Sequence, residues 1–132
     1  MITEMFQLAS KVSLPTDLHD PRNFWLGCVG IRDDGKIVSA KNGSVFSTET
    51  TNYQHMPNSH AEGRVLRKLG KGGTLFVSRV YKIGMDYAMS RPCPMCQTRI
   101  KAFNVKKVYY TINAEQYGVW SPSLDTDKVF NF

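Results

Sequence analysis

The sequence predicts one α/β domain over residues 1–132, built as a mixed sheet covered by helices. Three observations carry that reading. Past residue 37, segments rich in strand formers alternate with amphipathic segments in the order strand, helix, strand, helix, strand. Ahead of them, Asp33-Asp34-Gly35 separates two strand-like runs and reads as a hairpin turn. The chain has 132 residues, 42% of them apolar and 21% charged, which suits one compact core and excludes a disordered or fibrous chain.

The elements follow in order. Ile2, Met5, Phe6 and Ala9 recur at helical spacing, so a short amphipathic helix opens the chain and stops near Pro15. Residues 24–32 and 37–40 form two antiparallel strands around the Asp-Asp-Gly turn. Residues 41–57 are polar, with Asn42, Gly43 and a run of Ser and Thr, and read as a long loop of the kind that often carries function. A helix spans about 60–69, because Ala61, Val65, Leu66 and Leu69 share a face and Gly70, Gly72 and Gly73 end it. Residues 74–80 are a third strand. A loop over 81–91 leads to Pro92, suited to the first turn of a helix bearing Cys93, Cys96, Ile100 and Phe103. Residues 105–112 are a fourth strand. The rest, with Tyr117, Trp120, Val129 and Phe130, adds a short fifth strand or covers the sheet edge. No repeat, linker or low-complexity segment divides the chain.

The net charge of +6 attracts phosphate, on a nucleotide or along a nucleic-acid strand, or simply serves solubility. Its seventeen Lys and Arg residues are scattered, densest at Arg64, Arg67, Lys68 and Lys71, and form no basic tract. No apolar run approaches the roughly 20 residues that cross a bilayer, and the first residues lack a basic head before an apolar stretch. A cytoplasmic protein without a membrane partner is therefore expected. Three cysteines, two of them in the tight pair Cys93 and Cys96, suggest metal or redox chemistry in a reducing compartment and not disulfides.

Two stretches hold the chemistry: Ser59-His60-Ala61-Glu62 and Pro92-Cys93-Pro94-Met95-Cys96. His60, Cys93 and Cys96 are a donor set suited to zinc, and three protein ligands leave the fourth tetrahedral position to water, as in a catalytic site. Both stretches are expected to begin helices, whose N-terminal potential favours thiolates. Glu62, two residues from His60, stands near the metal without being needed to bind it, where it would take a proton from water. Each stretch alone has other readings. Ser59-x-x-Glu62 is also a capping box. Cys93-x-x-Cys96 also fits a thiol redox pair, or half of a structural zinc site with His55 as the candidate further ligand. His19 and Cys28 read as a surface histidine and a buried strand cysteine.

The two stretches together, His-Ala-Glu then Pro-Cys-x-x-Cys with a strand between, resemble the signature of the zinc-dependent cytidine deaminase superfamily, over roughly residues 24–112. The resemblance implies a three-layer α/β/α cytidine deaminase-like fold with a mixed sheet of about five strands. It implies Zn2+ held by His60, Cys93 and Cys96, with Glu62 as the proton shuttle. It also implies that Asn42 reaches the sugar or base and that the Ala61 backbone amide meets the base edge. The expected reaction is hydrolytic deamination of cytosine at C4 in a free nucleotide such as deoxycytidylate, giving the uracil product and ammonia.

Departures from the family keep alternatives open. His60 stands where free-cytidine deaminases usually present cysteine, which points to the deoxycytidylate, guanine and polynucleotide branches. Pro-Cys-Pro-Met-Cys resembles the wording of guanine and tRNA adenosine deaminases, but Arg91 replaces their usual glutamate before the proline. Single-stranded DNA or RNA, presenting cytosine or adenine, is thus an alternative substrate, and guanine another. Tyr117 and Trp120 would stack on a base or cover the sheet, and Arg91 would meet a phosphate or solvent. A zinc-stabilised binding module without catalysis is the rival of another class, against which Glu62 weighs. A homo-oligomer is among the expected states.

Overall fold

A computed structural model of the chain describes residues 1–14, 22–41 and 61–132. Pro15, His19, the polar loop over 42–57, Ser59 and the site candidates Asn42, His55 and His60 lie outside the described residues. Among the described residues three helices, α1 (Ile2–Ser13), α2 (Ala61–Leu69) and α3 (Pro94–Ala102), accompany seven strands. These are β1 (Phe24–Ile31), β2 (Ile37–Lys41), β3 (Thr74–Tyr81), β4 (Tyr87–Ala88), β5 (Lys107–Thr111), β6 (Gln116–Ser121) and β7 (Thr126–Asn131).

The sheet runs β2-β1-β3-β5-β6-β7, with β4 paired to the far end of β3. Only β3 and β5 are parallel among these pairings, joined by a crossover that carries α3. This connection places the start of α3 at the carboxyl ends of β3 and β5, and α2, which runs back to the start of β3, begins at the same end. The N-termini of α2 and α3 therefore meet at the place where open α/β sheets receive ligands.

Alternation along the strands divides the core in two. On one face, Val65, Leu66 and Leu69 of α2 and Ile100 of α3 pack on Cys28, Ala40, Leu75, Val77, Val108 and Trp120. On the other, α1 buries Phe6, Ala9 and Ser13, and Ser10 bonds Ser78 at 2.6 Å. The close seat of α1 requires Gly27, because a Cβ there would collide with the Ala9 carbonyl oxygen. Gly70, at φ +73°, ends α2 in the left-handed conformation that the glycine run anticipates.

This is the expected three-layer α/β/α arrangement, with corrections in detail. Among the described residues the sheet has seven strands rather than about five, since residues 113–132 fold into two strands joined by a turn, and the expected 81–91 loop contains β4. The sequence hid both for physical reasons. A two-residue strand has no period to detect, and β7 is exposed at every position, so no apolar alternation marks it. The second motif helix starts at Pro94 and not Pro92, because Cys93 stays extended (φ −66°, ψ 163°) as the N-cap. No helix among the described residues is long and apolar enough to cross a membrane.

Candidate active site

Glu62 occupies the first turn of α2, yet its side chain is 3% exposed. A carboxylate is seldom buried so fully unless its surroundings compensate it. The helix N-terminus supplies part of that compensation. Ala61, fully buried, opens the helix, where backbone N–H groups point outward along the axis.

The second motif arrives from α3, which packs against α2. Cys93 is half-buried as N-cap, and Cys96, in the first turn, is fully buried. Their thiols share a hydrogen bond. Burial pushes the Cys96 thiol well up, and the nearby Glu62 carboxylate and Cys93 push it further. A cation held between the sulfurs reverses that balance, so this pair has the chemistry of a metal site more than of a reactive free thiol. Among the described residues no three His, Cys, Asp or Glu side chains could hold a metal ion by themselves. Two thiols thus fit a site that takes its further ligand from elsewhere in the chain.

Cys28 is the neighbour that reading the sequence missed. It is a buried strand cysteine, as expected, but burial and then the charge of Glu62 raise its thiol, and it adds to the shift of Cys96. It sits on the floor beneath both motifs. No local spacing connects residue 28 with residue 62; only the pairing of β1 with β3 and the seat of α2 bring them together.

Arg91, half-buried, is paired within the chain. Its guanidinium donates Nε to Oδ1 of Asp127 at 3.0 Å and Nη2 to Oδ2 at 2.9 Å, and its Cζ lies 5.4 Å from the centre of the Trp120 ring. Trp120 is fully buried and Tyr110 is 3% exposed, so both serve the core, while Tyr109 stacks on Phe76 with ring centres 4.5 Å apart. Tyr117 joins an aromatic cluster with Phe6, Phe130 and Phe132 on the α1 side of the sheet, the face opposite the Cys motif.

The structure therefore brings Glu62, Ala61, Cys93 and Cys96 to one end of the sheet, and the placement of His60 and Asn42 lies outside the described residues. Comparison with known proteins identifies the family and the fold. The family described as the cytidine and deoxycytidylate deaminase zinc-binding region matches residues 2–112. The solved cytidine deaminase from Mycobacterium tuberculosis is similar with a TM-score of 0.54 at 20% identity, over 83% of this chain and 82% of that one. The cytidine deaminase from Mycobacterium leprae is similar with a TM-score of 0.55 at 18% identity, over 92% and 93%. At these identities the likeness is one of fold. No curated protein matches the chain.

Proposed function

This chain belongs to the cytidine and deoxycytidylate deaminase zinc-binding family, and from that premise we propose that it removes the amino group of cytosine hydrolytically in a small nucleotide, deoxycytidylate foremost. The observation that carries the reading is the buried carboxylate of Glu62 at the start of α2, beside the paired thiols that open α3.

His60, Cys93 and Cys96 would hold zinc. Bound there, zinc supplies Lewis acidity and brings the pKa of a water to about 7. Glu62 accepts one proton of the attacking water and passes it to ring nitrogen N3; it then takes the remaining proton from the hydroxyl now on C4 and delivers it to the amino group, which leaves as ammonia as the C4–N4 bond breaks and the C4 carbonyl forms. Its burial keeps bulk water away from that proton path and strengthens its interactions with the base. The Ala61 amide donates to the base edge, and Asn42 holds the sugar or base. One zinc-dependent domain over residues 1–132 performs the reaction, and three cysteines that form no disulfide suit a cytoplasmic setting. The chain associates into a homo-oligomer in this reading, which its mass in solution tests.

The net charge of +6 supports a second reading, in which the cytosine is presented on single-stranded DNA or RNA. One experiment decides: ammonia release from free cytosine, adenine and guanine nucleosides and nucleotides beside single-stranded oligonucleotides, with zinc content measured on the same sample. Turnover of deoxycytidylate by zinc-loaded protein supports the first reading. Turnover of oligonucleotides alone, with binding that falls steeply as salt rises, supports the second. A zinc-loaded protein that releases no ammonia from any of them would leave a zinc-stabilised binding module.

A further inference from the structure

The helix that carries the two cysteines is poorly anchored by apolar packing. Of the nine residues of α3, only Cys96 and Ile100 are buried, and Cys96 belongs to the site itself. By contrast α2 buries six of its nine. Something besides hydrophobic burial must set where Cys93 and Cys96 stand.

The polar ties at the two ends of α3 lead to the hairpin of β6 and β7. At the near end, Arg91, two residues before Cys93, grips Asp127 of β7 with two parallel hydrogen bonds. Such a planar fork fixes both position and rotation. Tyr110 locks the same carboxylate from the other side, its hydroxyl donating to Asp127 Oδ1 at 2.7 Å. At the far end, Lys101 reaches Asp125 at 3.8 Å, and Asp125 accepts the Trp120 indole N–H at 3.0 Å. Gly118 completes the device. It pairs with Tyr110 across β5 and β6, and a Cβ there would overlap the tyrosine ring. Glycine at this position lets Tyr110 cross β6 to reach β7.

All six side chains of β7 are exposed, so this strand adds little to the core. Its side-chain ties are Phe130, stacked on Tyr117 on the α1 side, and Asp127, which holds Arg91 and Tyr110. Resting on the functional reading above, we propose that Arg91 and Asp127 are positioning residues for the metal motif, the ion pair holding the extended segment before α3 so that Cys93 and Cys96 stay together beside Glu62. An arginine before the Pro-Cys-Pro-Met-Cys run thereby acquires a specific partner, 36 residues away in the chain.

Zinc affinity of the full chain, measured by competition with a chromogenic chelator, tests this, with far-UV circular dichroism and melting temperature read on the same samples. Arg91→Ala and Asp127→Asn are expected to stay folded at 25 °C and to bind zinc about tenfold or more weakly, the range for residues that orient metal ligands. The reversed pair, Arg91→Asp with Asp127→Arg, is expected to recover most of the loss, which a general effect on stability would not do. Should Arg91→Ala fail to fold, Asp127→Asn decides, since it changes one atom and keeps an acceptor for Tyr110. Folded single variants that bind zinc within twofold of the parent, or a reversed pair as weak as the singles, would overturn the positioning role alone. A parent protein that binds no zinc would overturn the functional reading beneath it.

Discussion

Ser90 and Thr111 are bonded to each other through both backbone and side chain. The Ser90 amide donates to the Thr111 carbonyl at 2.8 Å, the Thr111 amide donates to the Ser90 hydroxyl at 2.7 Å, and the two hydroxyls lie 2.9 Å apart. Ser90 also donates to the Val77 carbonyl at 2.8 Å, and both residues are buried. The knot ties the segment leading to the cysteines across the ends of β3 and β5. Ser90→Ala leaves the Thr111 amide and the Val77 carbonyl short of a partner away from water, at about 1–3 kcal/mol each. A loss of about 2–6 kcal/mol is expected in urea unfolding, with a wild-type m-value; a loss under about 0.5 kcal/mol would show that water replaces the hydroxyl.

Glu62→Ala is expected to keep zinc and fold while deamination falls by at least a hundredfold, since a positioned general acid–base is worth about 10²–10⁴. The Glu62 charge raises the thiols of Cys28 and Cys96, so removing it eases thiolate formation and zinc binding should hold or strengthen. Undiminished turnover in the variant would contradict the mechanism.

Cys93→Ala removes one of the two thiols in the proposed ligand set. Parent protein should gain about 3 kcal/mol of stability when free zinc exceeds its dissociation constant a hundredfold. The variant should gain nothing at that same concentration. The melting temperature with and without zinc reads this, and an equal rise in both proteins would remove Cys93 from the ligand set.

Tyr110 is pushed up to about 12, by burial first and then by its bond to the Asp127 carboxylate. An unfolded tyrosine ionises near pH 10. The folded value is the higher one, so this contribution is fully present below pH 10 and drains away as pH rises towards 12. The loss is on the order of 2 kcal/mol. Tyr110→Phe starts less stable, without the hydroxyl bond, and should show a flatter decline between pH 10 and 12. Parallel curves for the two proteins would mean that Tyr110 ionises alike in both states.

Much of the fold was legible in the chain. Val65, Leu66 and Leu69 repeat at helical spacing and do line the core, and Asp33-Asp34-Gly35 does turn β1 into β2. The site was legible where its residues lie close together in the sequence, as with Ala61 beside Glu62 and Cys93 three residues before Cys96. Cys28 beside Glu62 was not, because their proximity follows from strand pairing and helix seating. The Arg91–Asp127 pair was not for the same reason, and β7 escaped because an edge strand exposed at every position leaves no hydrophobic period.

By itself, then, the sequence set the residue types of the two motifs, their order and the helices that carry them, since local spacing and turn chemistry act over a few residues. Tertiary structure alone decided that a distant cysteine underlies the carboxylate and that a carboxylate from the last strand clamps the arginine before the motif. Such contacts depend on which strands become neighbours, a choice made by burial and pairing over the whole chain, and no short window of residues records it.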